Sequence, residues 1–183
     1  MRIYTRTGDD GRTHLQGRAG VPKSDPRVET LGDLDELNAF LGLLRSHLDK
    51  DVYALLDARL SEAQESLFEI GAEVSDSKGG RRLDEAPVST LEEAIDKLEG
   101  SLSPLQHFIL PGGHPVASLF HVARTVARRA ERRLVQLAQS AAVNPSSLAY
   151  LNRLSDFLFV AARYVNACEG VADTPWRGGA RGR

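Results

Sequence analysis

A cluster of residues suited to binding phosphate lies near the start of the chain, in the segment TRTGDDGRT from Thr5 to Thr13. Glycines allow backbone N–H groups to approach an anion closely, while hydroxyl and guanidinium groups add further donors. This composition favours a polyphosphate ligand. The segment lacks the G-x-x-x-x-G-K-[ST] pattern of a Walker A loop, and an ordinary turn rich in glycine and aspartate remains the alternative.

A second cluster consists of arginines in the segment ARTVARRAERRLV, residues 123–135. On a helical wheel, Arg124, Arg128 and Glu131 lie within about 60° of one another, with Arg132 beside them. This polar stripe borders an apolar face, where arginine side chains need anionic partners. Those partners are either carboxylates from elsewhere or the phosphates of a ligand.

The same wheel directs Arg129 and Arg133 further round, toward solvent. The alternative for the whole basic run is therefore a solvated face with i,i+3 and i,i+4 ion pairs. An acidic run at 33–36 contains Asp33, Asp35 and Glu36. These carboxylates are either solvated or the partners that the arginines need.

Metal-ligand and nucleophile patterns are missing from the sequence. The five histidines and the single cysteine show no metal-binding spacing. They are His14, His47, His107, His114, His121 and Cys168. There is also no E-x-x-H pattern of a di-iron bundle and no legible Ser-His-Asp or Cys-His arrangement. We therefore assign no metal ligand, and we expect His121 in the core or at an interface.

Five helices must position these clusters. Apolar residues at steps of three and four, together with capping signals, predict helices at about 26–47, 52–74, 89–99, 116–139 and 145–169. Ser89 with Glu92 matches a capping box for the third helix. Residues 1–25 read as a polar loop with one short strand at its start, and residues 171–183 as a flexible tail. Strand signals are otherwise almost absent, so the fold class is all-α.

The fifth helix is apolar nearly all round, which is typical of a helix buried in the protein or at a subunit interface. Its one narrow polar stripe contains Asn152, Asp156 and Arg163, within about 40° of one another.

Composition limits the number of domains, the class of partner and the expected location of the protein. The sequence has 183 residues, a formal net charge of −2 and one cysteine. That suits one domain and argues against a general nucleic-acid binder. With no apolar run of membrane-spanning length and no secretory signal, we expect a cytoplasmic protein without a membrane partner.

Five motifs, in this order, resemble those of the PduO-type ATP:cob(I)alamin adenosyltransferases. They are IYTRTGDDGRT, GDLDELNAFLG, FILPGG, ARTVARRAERRLV and LNRLSDFLFVAAR, and the resemblance extends from Ile3 to about Trp176. It implies a five-helix bundle with ferritin-like up-and-down packing, assembled as a homotrimer with active sites at subunit interfaces. It also implies transfer of the 5′-deoxyadenosyl group of ATP to the Co(I) of cob(I)alamin, giving adenosylcobalamin and triphosphate.

The resemblance assigns roles to matching positions. ATP and Mg²⁺ would lie against the N-terminal loop, and the nucleotide-binding positions would be Thr5, Arg6, Thr7, Gly8, Thr13, Lys23, Arg128, Glu131, Arg132 and Asn152. The catalytic set would comprise Arg128, Phe108, Asp35 and Arg124. Asp35 of one subunit would pair with Arg124 of its neighbour, and Phe108 would pack below the corrin. Asp10 stands where lysine is frequent in the family, and Arg12 is a candidate for the missing charge.

Cob(I)alamin is a very strong nucleophile, so the absence of a visible general base fits this chemistry. A cob(II)alamin reductase and an adenosylcobalamin-dependent client enzyme are possible further partners; no nucleic acid is expected. Two other interpretations stay open. One is a non-catalytic nucleotide or corrinoid carrier on the same bundle, and the other is an interaction module that uses the basic helix.

Overall fold

The computed structural model describes residues 4, 6–76 and 83–178. Five α-helices form most of this part of the chain: α1 (Pro26–His47), α2 (Ala54–Ser75), α3 (Ala86–Glu99), α4 (Pro115–Ala138) and α5 (Pro145–Cys168). Four short strands accompany them: β1 (Arg12–Leu15), β2 (Arg18–Pro22), β3 (Ile109–Leu110) and β4 (Thr174–Pro175). The prediction of an all-α, five-helix bundle is confirmed.

Capping residues explain where the long helices begin. The Asp25 side chain accepts a hydrogen bond from the backbone N–H of Arg27, and proline follows the cap at the first helical position. Asn144 caps α5 in the same way, again before a proline. The predicted capping box of the third helix is wrong, because α3 begins at Ala86 and its N-cap, Glu85, makes no side-chain capping bond.

The hydrophobic core is centred on α5, which packs against both α3 and α4, while α1 packs against α2 and α4. Leu151, Leu154, Phe157 and Leu158 of α5 are completely buried. This agrees with the apolar pattern found all round the fifth helix. Within the described residues, none of the helices combines the length and apolarity that a bilayer crossing needs.

The N-terminal segment contains a β-hairpin rather than the predicted loop with one initial strand. Strand β1 pairs antiparallel with β2, and a register shift lies between Thr13 and Leu15. Leu15 and Val21 are the buried hydrophobic residues of the hairpin. The hairpin contacts the end of α2, where the backbone N–H of Gln16 donates to the Ser75 hydroxyl over 3.2 Å.

A second strand pair joins two segments that are distant in the sequence. The α3–α4 loop, residues 100–114, contains β3, and the C-terminal segment, residues 171–178, contains β4. The two strands pair antiparallel, with Ile109 opposite Pro175 and Leu110 opposite Thr174. The expected flexible tail, 171–183, thus contributes a strand within its described part; residues 179–183 lie outside the described residues.

Candidate functional site

A pocket of about 340 Å³ opens between α3, α4 and α5. Arg124 and Arg128, one helical turn apart on α4, line it, and Asp156 of α5 lies on the opposite wall. Within the described part of the chain, every lining residue belongs to one of these three helices, and the N-terminal segment contributes none. We call this the arginine pocket.

The arginine pocket contains a cationic group without an anionic partner. Nε of Arg124 is buried and makes no hydrogen bond within the described residues. Burial lowers the pKa of Arg124, and the charge of Arg128 lowers it further. An unsatisfied buried donor costs about 1–3 kcal/mol, and more when it is charged. The geometry therefore calls for an anion from outside the single chain.

His121 lies one turn before Arg124 on the same helix and is only 4% exposed, as expected from the sequence. Neither of its ring nitrogens has a partner in the described residues. Burial lowers the pKa of this imidazole, Arg124 lowers it further, and Asp173 acts in the opposite direction. His121 is therefore held in the neutral form near pH 7.

The remaining predicted nucleotide-binding positions on α4 and α5 are not among the described residues that line the pocket. Glu131 is half-buried, whereas Arg132 and Asn152 are exposed. The Arg132 side chain donates through Nη1 to the carbonyl of Arg128, so it packs along its own helix. Asn152 lies one turn before Asp156 but does not line the pocket.

The other two α4 arginines point away from the core, as the wheel predicts, but they form ion pairs with α1 instead of extending freely into solvent. Arg129 pairs with Asp33 and Glu36 of α1, and Arg133 pairs with Asp33 and Glu29. The hydrogen bond to Glu36 is the main cause of the raised pKa of Arg129. The wheel gave the direction of these side chains correctly relative to the core but could not show that α1 lies beside them. The sequence did contain a signal for this pairing, because arginines on α4 and carboxylates on α1 both recur at a spacing of four residues.

Asp35 is exposed on α1 and is not joined to Arg124 within the described chain. Its neighbours Asp33 and Glu36 are used by the α1–α4 ion pairs, and Asp35 makes no hydrogen bond or ion pair within the described residues. An exposed carboxylate on α1 and an unsatisfied arginine on α4 are thus both present in the described chain.

The N-terminal phosphate-loop candidates form a second site of positive charge. A Cβ built on Gly8 would lie 3.0 Å from the Arg12 carbonyl oxygen and 3.5 Å from Lys23 Nζ, so only glycine fits without displacement. Lys23 is exposed beside the loop, and its backbone N–H donates to the Gly11 carbonyl over 2.9 Å. The structure therefore brings Gly8 and Lys23 together, as the phosphate hypothesis requires.

The other residues of this loop are placed as follows. Arg6 is exposed with a positive φ of 62°, and Thr7 is also exposed. Thr13 is half-buried in β1. Thr5 lies outside the described residues. Arg12 donates through Nη1 to the Gly20 carbonyl over 2.7 Å, so its guanidinium supports the hairpin in this arrangement.

An exposed aromatic surface lies on the α3–α4 loop. Phe108 is 79% exposed, and its ring meets that of Trp176 edge to face, with centroids 6.4 Å apart. A shallow pocket of about 460 Å³ adjoins both rings and is also lined by Leu105 and His107. An aromatic side chain this exposed is suited to covering a large apolar ligand.

Among the described residues, no group of three His, Cys, Asp or Glu side chains is arranged to hold a metal ion. A divalent cation that binds together with ligand phosphates needs no such group. Mg²⁺ commonly binds in this way, keeping several waters and contacting substrate phosphates.

Comparison with known proteins identifies the class. The sequence model of the family described as "Cobalamin adenosyltransferase" matches residues 3–165. A corrinoid adenosyltransferase from Bacillus subtilis is 44% identical over 179 residues, which cover 96% of this chain and 92% of that protein. The chain belongs to the cobalamin adenosyltransferase family.

Two further relatives support the assignment. The corrinoid adenosyltransferase PduO of Salmonella typhimurium is 47% identical over 169 residues, 89% of this chain, but this covers only 49% of that longer protein. A phenylalanine-to-histidine variant of the PduO-type ATP:corrinoid adenosyltransferase from Lactobacillus reuteri, complexed with cobalamin and ATP, superposes with a TM-score of 0.92. It is 38% identical, and the match covers 97% of each chain.

Proposed function

We propose that this chain transfers the 5′-deoxyadenosyl group of ATP to the cobalt of cob(I)alamin. The Co(I) electron pair attacks C5′, the cobalt–carbon bond forms, and the C5′–oxygen bond breaks. The electron pair of that bond leaves with triphosphate, so the reaction needs no added oxidant or acid. Family membership supports this chemistry, and the observation that carries it is a pocket lined by two arginines of α4, Arg124 and Arg128.

The triphosphate would be the anion that Arg128 binds in this pocket, whereas Arg124 would be paired across the subunit interface. Arg128 is exposed along the wall and free to turn toward a phosphate, and a charge-assisted bond to phosphate is stronger than a neutral one. Glu131, Arg132 and Asn152 belong to the two helices that carry the pocket's arginines and Asp156, and they would bind the rest of the nucleotide. As negative charge grows on the departing triphosphate, Arg128 would stabilise it electrostatically.

The N-terminal loop would bind the same phosphates from the other side. Gly8 allows close approach of its backbone, and the Lys23 ammonium lies beside it. Thr5, Arg6, Thr7 and Thr13 would add hydroxyl and guanidinium donors. Mg²⁺, held by triphosphate oxygens and water, would neutralise part of the phosphate charge.

The two halves of the nucleotide site would come from different subunits of a homotrimer. The described residues of the N-terminal loop do not line the arginine pocket of their own chain. In addition, Arg124 has no anion and Asp35 has no cation within the described protomer. Pairing Asp35 of one subunit with Arg124 of the next would satisfy both, and the loop of one subunit would then complete the neighbour's pocket.

Phe108 would act on the corrinoid before the transfer step. Its exposed ring would pack under the corrin and exclude water and other bases from the lower axial position of cobalt. Four-coordinate Co(II) lacks an axial donor, which makes its reduction to Co(I) easier. This role needs an apolar surface in a defined place, and the loop provides one.

The protein contributes position and environment rather than acid–base chemistry. Holding cobalt and C5′ in line can supply about 7–11 kcal/mol of the barrier through proximity and orientation. The corrinoid supplies the nucleophile itself. A cytoplasmic location, a separate cob(II)alamin reductase and delivery to a client enzyme belong to the same proposal; the single cysteine of the sequence fits a reducing compartment.

The decisive experiment is anaerobic. Purified protein is mixed with chemically reduced cob(I)alamin, ATP and Mg²⁺, and the visible spectrum is followed. We expect ATP-dependent formation of a light-sensitive alkyl-cobalt product with release of triphosphate. Tight binding of ATP or corrinoid without product would favour a carrier instead. If neither binding nor product is found, the proposal is wrong, and salt-dependent binding of oligonucleotides to the basic helix becomes the next test.

A further inference from the structure

Arg163 of α5 joins two segments that are far apart in the sequence. Its side chain is 8% exposed, and Nε donates to Asp173 Oδ2 over 2.7 Å. Nη2 of the same guanidinium donates to the Ser103 carbonyl over 2.8 Å. Ser103 belongs to the α3–α4 loop and Asp173 to the C-terminal segment, so one planar fork binds both.

These two segments carry the aromatic surface. Phe108 directly precedes β3, and Trp176 directly follows β4. The backbone N–H of Trp176 donates to the Phe108 carbonyl over 2.6 Å, and the two rings meet edge to face. The position of Phe108 is therefore tied to that of the C-terminal segment.

The strand pair cannot hold this arrangement alone. Each of β3 and β4 has two residues, and an isolated two-stranded pair is marginal in water even when longer. A second α5 residue secures the far side of the loop, because Asn166 donates to the Gly112 carbonyl and accepts from the His114 N–H. Arg163 contacts the same loop at Ser103, before Phe108 in the sequence, whereas Asn166 contacts it after Phe108.

Burial of Arg163 needs a reason other than stability. Replacing a buried ion pair by apolar residues of similar volume is often neutral or stabilising. What an apolar residue cannot do is direct two hydrogen bonds to two separate segments, whereas the rigid guanidinium fork can.

We propose that Arg163, through Asp173 and Ser103, is a positioning residue that fixes Phe108 under the corrinoid and thereby supports the reaction from Co(II). The inference rests on the proposed function for its kinetic consequence. Its structural part, the tie between Arg163 and the C-terminal segment, does not depend on activity.

The test uses Asp173→Ala in the full chain. This change alters the C-terminal segment and no helical residue, and Arg163 keeps its bond to the Ser103 carbonyl. Because it leaves a buried guanidinium without its anion, all variants are compared by far-UV circular dichroism and Tm and are assayed well below their melting transitions. Asp57→Ala is the matched control: Arg45 Nε and Asp57 Oδ1 also lie 2.7 Å apart, with similar burial of the carboxylate, but between α1 and α2. Asp173→Asn, which keeps an oxygen acceptor, serves as the conservative variant.

Trp176 is the only tryptophan in the sequence, so its fluorescence reports on the C-terminal segment. Collisional quenching by acrylamide, measured without corrinoid, should increase in Asp173→Ala. Full release would raise the quenching constant by at most about 1.8-fold, the ratio of complete exposure to the observed 56%. Asp57→Ala should leave it unchanged, and Asp173→Asn should stay nearer to the wild type than to Asp173→Ala.

The kinetic measurement compares two starting states. From cob(II)alamin with a reductant, Asp173→Ala should react at least about tenfold more slowly, since small misplacements of a positioning group are costly. From cob(I)alamin the rate should change by less than about threefold, with the KM for ATP unchanged, because Phe108 has already acted. Equal losses from both states would overturn the positioning role.

Failure of this inference is distinguishable from failure of the proposed function. If the wild type forms no alkyl-cobalt product, the proposed function is wrong, yet the quenching comparison still decides whether Arg163 ties down the C-terminal segment. Unchanged quenching in Asp173→Ala would overturn the inference even if the wild type is fully active. Arg163→Lys offers a second check, because lysine keeps the charge but cannot present the fork, and its quenching should also increase.

Discussion

Replacing Phe108 by alanine should separate the two steps of the reaction. A phenylalanine side chain offers about 200 Å² of apolar surface to a partner. Since Phe108 is 79% exposed, about 160 Å² remains for the corrinoid to cover, and at about 25 cal/mol/Å² this corresponds to about 4 kcal/mol. That is an upper bound for the contact, because alanine keeps its Cβ.

If the whole of this contact favours the four-coordinate Co(II) complex that is reduced, its loss amounts to a factor of up to about 10³ in the rate from Co(II). We expect Phe108→Ala to slow the reaction from cob(II)alamin by about 10²- to 10³-fold, because the ring is needed to stabilise the four-coordinate Co(II) state. Starting from cob(I)alamin, the loss should be much smaller.

Only about 40 Å² of the ring is buried in the protein itself, so stability should fall by about 1 kcal/mol and Tm by about 2–4 °C.

The assay is anaerobic visible spectroscopy with both starting states, at a temperature well below the melting transition of the variant. Phe68→Ala is the matched control, since Phe68 is 72% exposed on α2 and lines neither the arginine pocket nor the aromatic surface. That control should change neither rate. A near-normal rate from cob(II)alamin in Phe108→Ala, or equal losses from both states, would refute the reasoning.

Three further predictions follow from the site. Arg128→Met should lower kcat/KM for ATP by about 10- to 100-fold, the range for a lost hydrogen bond to a charged group, with little change in Tm because the side chain is exposed; steady-state kinetics at saturating corrinoid will measure it. Asp35→Asn should weaken the trimer, seen by sedimentation, and a double-mutant cycle with Arg124→Gln should show coupling; additive losses would contradict the intersubunit pair. For His121, burial lowers the pKa below its usual 6.5, so the unfolded state binds more protons and the stability present above pH 6.5 is lost as pH falls below it. His121→Leu should therefore lose less Tm than the wild type between pH 7 and pH 5, whereas the exposed-site control His14→Gln should behave as the wild type.

The helices were predictable because their signals are local. The Asp25 cap, the following proline and the leucine stripe fix α1 at Pro26–His47, as predicted. The capping-box argument failed at α3 because Ser89 and Glu92 satisfy that pattern while the helix already continues from Ala86. The hairpin was missed because its strands are only four and five residues long. So short a segment shows little period-2 alternation, and glycines interrupt it.

The arginine pocket was partly predictable. Helical angles placed Arg124 and Arg128 on one stripe, and the structure puts both in one pocket. The same angles sent Arg129 to solvent, yet Arg129 pairs with Asp33, because a wheel describes one helix and contains nothing about its neighbour. Which arginines are satisfied within the chain, and which remain for a ligand, is decided by how α1 packs on α4.

Arg163 shows the limit of sequence reasoning more sharply. The wheel grouped it with Asn152 and Asp156 as one polar stripe. In the structure Asp156 pairs with Arg153 of its own helix, whereas Arg163 turns to Asp173 beyond the helix end. That choice depends on a strand pair between segments more than 60 residues apart, Ile109 and Pro175, with two residues on each side. No local pattern encodes so short a pairing. Arg163 donates to one acceptor in each of the two segments, and this contact becomes visible only once the segments lie together.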